Sequence, residues 1–324
     1  MKTISPQQLE EILAEHGKWL AGAGGKRADL SETDLYGSNL SGADLSCAIL
    51  KATHLCNVNL SNANLKNAGL FHADLSGADL SGADLSGALL PFALLSKANL
   101  PGANLKNANL YNAKLSGADL SGANLSRADL KDADLSYANL SGANLYKADL
   151  SGANLSGANL SGADLFGANL SGANLKNADL SHANLSHTDL FHANLSGVNL
   201  SGAYLENADL YHANLSDANL SGANLKNAVL SNARLSKANL SDANLSGANC
   251  YQTIFSPANL RCTNLSGANL THADMRKSDL TDAVLLGATL DGLMLSGANL
   301  SGTEISLANA CTTDTIATDT IFSR

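Results

Sequence analysis

Ala73-Asp74-Leu75-Ser76-Gly77, Ala78-Asp79-Leu80-Ser81-Gly82, Ala83-Asp84-Leu85-Ser86-Gly87: residues 73–87 repeat one five-residue phrase three times. Outward from this stretch the phrase runs without insertion or deletion from Ala28 to Ile305, 56 times in a chain of 324 residues. With the central residue called i, 52 of the 56 are Leu, and the exceptions are Cys250, Phe255, Met275 and Ile305. Position i−2 is Ala in 45 phrases, and i−1 is Asp or Asn in 42. Ser and Gly dominate i+1 and i+2. An unbroken internal repeat of this kind specifies a solenoid.

The period excludes a helix. At about 100° per residue, five residues advance roughly 500°, which smears the leucines round the whole circumference. A flat strand fails as well. Positions i−2 and i share one face, but five is odd, so the next pair would face the other way. Every pair stays inward only if the chain bends once per phrase, and Ser-Gly reads as that bend because Gly tolerates left-handed backbone angles. With bends near 90°, roughly four phrases close a square coil of about 20 residues. The repeat then makes about 14 coils, about 67 Å long at the strand spacing of about 4.8 Å.

A twenty-residue coil predicts four distinct faces. Phe71, Tyr111, Phe191, Tyr211 and Tyr251 do fall in one column spaced by multiples of 20, and His72, His192, His212 and His272 fill the adjacent one.

The phrase resembles the pentapeptide repeat family, whose motif reads A(D/N)LxX, over about 280 of the 324 residues. The resemblance implies an all-β solenoid: a right-handed quadrilateral parallel β-helix with i and i−2 inside and i−1, i+1 and i+2 facing water. It also implies a short N-terminal helix of the type found in bacterial, especially cyanobacterial, members. The expected organisation is a capping helix over 1–25, a continuous β-helix over 26–305 and a C-terminal cap or tail over 306–324.

The formal charge of −9 is modest for this length. Asn often replaces Asp in the stacked i−1 columns, as at Asn59, Asp79, Asn99, Asp119 and Asn139, which avoids like charges on those adjacent rungs. This reads as polar ladders and solubility, and a basic nucleic-acid footprint is absent. The five cysteines, Cys47, Cys56, Cys250, Cys262 and Cys311, include no CxxC pair. Neither a disulfide framework nor a zinc site is expected, and a reducing cytoplasm fits. Residues 1–25 lack the apolar run of a secretory signal, and no stretch approaches a membrane span.

Ser5-Pro6-Gln7-Gln8 predicts a helix start with a capping box. Leu9, Ile12, Leu13, His16 and Leu20 share one helical face, suited to lie across the first coil, with Trp19 packed there, and Gly22, Gly24 and Gly25 end the helix. An alternative use of this helix is oligomerisation. Past Leu300 the register fails, and Ile316, Ile321 and Phe322 form an apolar cluster that reads as a lid or a self-association surface.

No cleft, catalytic Ser-His-Asp set or phosphate-binding glycine loop stands out, so neither an enzyme nor a cofactor is expected. The candidate binding surface is the aromatic-histidine corner. Leu89, Pro91, Phe92 and Leu94 are expected to face outward, with Phe71 and His72 on one neighbouring coil and Tyr111 on the other. Further along, Phe191-His192 and Tyr211-His212 stack on successive coils, and Tyr251 follows. Contiguous exposed apolar area marks interaction sites, although stacked rings can also simply stabilise a face. His192 and His212 could share a metal, but two ligands are too few to specify one. Two functions follow: a scaffold for an unidentified protein partner, or a mimic of acidic DNA that inhibits or protects a type II topoisomerase (gyrase), as some members of the family do. Dilution of Asp by Asn and Lys, and the absence of Phe-rich centres or a loop insertion, count against the second.

Overall fold

The computed structural model describes residues 1–305; the predicted C-terminal lid lies outside the described residues. Two compact units divide the chain, Met1–Asn159 and Leu160–Arg324.

In the first unit, residues twenty apart are joined by parallel bridges at position i−1, from Asp29 with Ile49 through Asn139 with Asn159. Three backbone hydrogen bonds per phrase tie one coil to the next. Leu30 N–H donates to Ile49 O, Glu32 N–H to Lys51 O, and Ile49 N–H back to Ala28 O. The bend is a four-residue turn in which the N–H of i+3 donates to the carbonyl of i, as from Ala43 to Leu40 at 3.1 Å. The second unit repeats this pattern from Asp164 with Asn184 to Val284 with Glu304.

The third residue of each turn, i+2, has φ near +60°, as a type II turn requires. Glycine is not what makes the bend, contrary to the sequence expectation. Asn57, His72, Phe92, Arg127 and Tyr137 adopt the same angle at φ 54–59°. Among the described residues every i+2 position from 32 to 302 does so except Pro257, whose ring bars a positive φ. Two interactions hold non-glycine residues there. The coil-to-coil ladder fixes the backbone on both sides, as Phe92 N–H to Tyr111 O at 2.9 Å, and where i−1 is Asp or Asn its side chain also closes the turn by accepting from the i+1 N–H, as in Ser126 N–H to Asn124 Oδ1 at 3.1 Å beside Arg127.

A residual strain still distinguishes residue types. Gly122 sits at φ +60° with nothing near an added Cβ, so substitution there tests the backbone alone. Gly122→Val is expected to destabilise by about 1–3 kcal/mol, and Gly122→Asn by much less, because β-branched residues resist this region and Asn tolerates it. Thermal unfolding of the two variants checks the ordering. Elsewhere glycine makes room for a neighbour: an added Cβ at Gly157 would meet the Tyr137 ring at 2.7 Å.

Inside each unit Leu at i and Ala at i−2 stack into dry columns; Leu60, Leu120 and Leu220 are fully buried. Burial of each leucine contributes about 2 kcal/mol before the entropy of ordering is subtracted. Phe255 replaces Leu in the core and is equally buried, with the adaptable Met275 as its neighbour one coil on. Threonines at i−2 keep their hydroxyls paired: Thr253 donates to Leu230 O at 2.7 Å and Thr263 to Leu240 O at 2.8 Å. Outside, Asn side chains bridge rungs, as Asn99 Nδ2 to Asp79 Oδ1 at 3.0 Å.

At the start of the first unit, β1 (Lys2–Thr3) pairs in parallel with β2 (Thr33–Asp34), a strand the sequence reading did not foresee. Helix α1 (Pro6–Leu20) carries the predicted capping box, with Gln8 N–H on Ser5 Oγ and Ser5 N–H on Gln8 Oε1. His16 is its buried residue. Its Nδ1 accepts from Ala28 N–H at 3.1 Å and its Nε2 donates to Ser46 O at 3.0 Å. Trp19 stacks on His16 with its ring 5.6 Å away, yet stays 39% exposed.

Candidate functional site

Positions i+1 and i+2 form the corners, and they differ in depth. The side chain at i+2 leaves the coil at positive φ and is mostly exposed, whereas i+1 lies along the corner between its neighbours above and below. Pro91 is therefore buried rather than outward-facing, covered in the column it shares with Phe71 and Tyr111.

The predicted corner residues separate into distinct groups. In the first unit Phe71, His72, Phe92 and Tyr111 make one ring cluster. Phe92 stacks on His72 at 5.1 Å and meets Phe71 and Tyr111 edge-on at 5.8 and 5.4 Å. Pinned by three rings, Phe92 is only half-exposed. Leu89 and Leu94, at 51% and 41% exposure, flank it from the two adjoining faces. Both stand at i−1, where Asp or Asn is usual, so the patch replaces two of the polar ladder residues.

In the second unit Phe191 stacks on Tyr211 at 5.7 Å, and His192 on His212 at 4.9 Å with ring planes 7° apart. Parallel imidazole planes do not converge their nitrogens on one ion, so this pair is a stacked ladder rather than a ligand set. Tyr251 stands apart from Tyr211, because the intervening member of its column is Ser231, and contacts His272 at 6.0 Å. The corner column therefore does not form one continuous strip. The largest exposed aromatic surfaces also lie elsewhere, on Tyr36, Tyr137 and Tyr204; each is an aromatic residue away from the corner column, and that was the available signal.

A second group escaped the sequence reading. His54, Cys56 and Asp74 each offer one donor atom, and these atoms lie within 4.8 Å of one another. His54 and Cys56 flank Leu55 on the outer side of one rung, and Asp74 follows His54 on the next coil through a parallel bridge. All three are half-buried. Asp34, on the preceding rung, meets His54 Nδ1 at 2.8 Å, and the Tyr36 ring packs 5.8 Å from the imidazole. Asp74 Oδ1 accepts from both Ser76 N–H and Ser76 Oγ, at 3.0 and 2.6 Å. Burial, with the Asp74 carboxylate beside it, pushes the Cys56 thiol up to about 11. Burial also acts to raise Asp74, but its hydrogen bonds from Ser76 and Cys56 outweigh this and hold it below the usual carboxylate range. The signal was present: His54 is the single His at an i−1 position and Cys56 the single Cys at i+1.

Eight copies of the family model described as pentapeptide repeats match between residues 26 and 302. Among solved structures, the chain is 41% identical to HetL, a pentapeptide repeat protein involved in heterocyst differentiation regulation from the cyanobacterium Nostoc sp. strain PCC 7120. That match covers 72% of this chain and 93% of that one, with a TM-score of 0.47. It is 38% identical to a pentapeptide repeat protein from the Arabidopsis thaliana thylakoid lumen, over 29% of this chain and 66% of that one, with a TM-score of 0.29. It is 20% identical to QnrB1, a plasmid-mediated fluoroquinolone resistance protein, over 53% of this chain and 90% of that one, with a TM-score of 0.30. No curated protein matches the chain.

Proposed function

The chain belongs to the pentapeptide repeat family, whose members adopt the right-handed quadrilateral β-helix, and on that premise we propose that it is a non-enzymatic scaffold that binds a protein partner through the corner patch of its first unit. One observation carries this reading. Phe71, His72, Leu89, Phe92, Leu94 and Tyr111 gather apolar and aromatic surface on coils otherwise faced with Ser, Gly, Asn, Asp and a few Lys. Rings pinned against one another lose little entropy on binding, which suits an interaction anchor.

DNA mimicry has less support. Duplex DNA carries one charge per about 1.7 Å, whereas here Asn often takes the place of Asp in a column, although Asp129 stacks on Asp149 and Asp189 on Asp209, and Asn amides share Asp oxygens, as Asn139 Nδ2 does with Asp119 Oδ1 at 2.9 Å. Helix α1 serves as the cap of the first coils, anchored through His16. Among the described residues no helix is long and apolar enough to cross a membrane. The four described cysteines are free, and we place the protein in a reducing cytoplasm on that ground.

The test is capture of partners by wild-type protein and by Phe92→Ser/Leu94→Ser, followed by cross-link mapping. Recovery of a specific partner should fall at least about tenfold in the double variant, as loss of about 1.4 kcal/mol or more of binding requires. Equal recovery, or cross-links that map away from these coils, would reject the patch as the binding surface.

A further inference from the structure

We propose that His54, Cys56 and Asp74 form a binding site for a single divalent transition cation of the zinc class. The inference is independent of the scaffold reading and rests on four observations.

The donor set is the first. One thiol, one imidazole and one carboxylate, with donor atoms within 4.8 Å of one another, are the ligand types that zinc accepts. In a bound site with metal–ligand distances of about 2.0–2.3 Å, neighbouring donors stand about 3.3–3.8 Å apart. Binding therefore requires the His54 and Cys56 side chains to close in on the Asp74 carboxylate that Ser76 holds.

The departure from the repeat is the second. Position i−1 is normally Asp or Asn and i+1 normally Ser, yet the Leu55 phrase carries His54 and Cys56 together. A histidine at i−1 gives up the carboxylate or amide oxygen that closes the turn elsewhere. Two substitutions in one phrase therefore replace local turn chemistry with ligand chemistry, directly beside an Asp of the following coil.

Support around the ligands is the third. Asp34 Oδ1 lies 2.8 Å from His54 Nδ1, and a carboxylate against the imidazole is the partner that metal-bound histidines commonly keep. Ser76 fixes the Asp74 carboxylate through two hydrogen bonds.

The flanks are the fourth. The Tyr36 ring covers one side of His54, and Leu94 follows Asp74 on the next rung. The three donor residues are themselves half-buried, and partial shielding from water strengthens a cation–thiolate interaction.

On binding, the thiol proton leaves to solvent and the cation takes its place between sulfur and carboxylate. Three protein donors leave the fourth tetrahedral position to water.

The experiment uses the purified full chain and Co2+ as a spectroscopic probe. The expected result is one equivalent bound with a near-ultraviolet thiolate-to-cobalt band that added Zn2+ abolishes. Cys56→Ser should remove the band, and Asp34→Asn should weaken binding about 10–100-fold. Cys47→Ser and Cys262→Ser should leave both unchanged. His54→Asn and Cys56→Ser install residues the repeat itself uses at those positions, so far-ultraviolet spectra should match wild type. No band in the wild type, or a band that survives in Cys56→Ser or His54→Asn, overturns the proposal.

Discussion

Leu120→Ala is expected to destabilise the first unit by about 2–5 kcal/mol, read as a lowered midpoint in urea unfolding followed by far-ultraviolet dichroism. Leu120 is fully buried, and Leu100 and Leu140 occupy the same core column on the coils before and after. Removal of its isobutyl group loses transfer free energy and leaves a cavity. The walls of that cavity are tied by coil-to-coil bonds such as Leu120 N–H to Asn139 O at 2.7 Å, so they collapse poorly. Ser121→Ala, one residue away at the half-buried corner, should stay within about 0.5 kcal/mol. If both variants unfold at the wild-type midpoint, the leucine column is not what holds the coils together.

His16→Ala is expected to release helix α1. The side chain satisfies Ala28 N–H and the Ser46 carbonyl, and truncation leaves the buried Ala28 N–H unpaired at a cost of about 1–3 kcal/mol, with a smaller loss at the half-buried Ser46 carbonyl. It also removes the surface on which Trp19 stacks. Amide exchange in residues 6–20 should rise well before global unfolding, while the coils beyond residue 60 keep wild-type protection. His16→Phe separates the two contributions, because it retains a ring against Trp19 and loses both hydrogen bonds. Unchanged exchange in both variants would mean that α1 is held by other contacts.

Much of the fold was legible because the repeat is strict. The outward residues in multiples of twenty, such as Phe71, Tyr111 and Phe191, indicated a four-phrase coil, and parallel bridges such as Asn59 with Asp79 have that spacing. The role given to glycine was wrong for a physical reason. The turn is held by its neighbours: the i−1 side chain and the ladders on either side bend Arg127 and Tyr137 as they do Gly122, and Phe92, flanked by Leu89 and Pro91, is held by the ladder alone. Pro91 was misplaced because a flat in-or-out rule has no term for depth at a corner. The candidate patch was partly legible. Its column was visible, but the break at Ser231 and the pinning of Phe92 by three rings depend on which side chains fill the coils above and below.

The sequence alone determined the coil. An odd period with two apolar positions admits only a chain that turns once per phrase and keeps leucine inside, whatever the other three residues are. Only the tertiary structure decided which surface groups act together. His54 and Asp74 are twenty residues apart, as are dozens of inert pairs in the chain, and they become a donor set with Cys56 through proximity across one rung spacing. The same holds for His16, whose two hydrogen-bond partners lie 12 and 30 residues away. Periodicity is a property of backbone geometry and can be read from spacing, whereas a site is a property of side-chain atoms and exists only once stacking has set their distances.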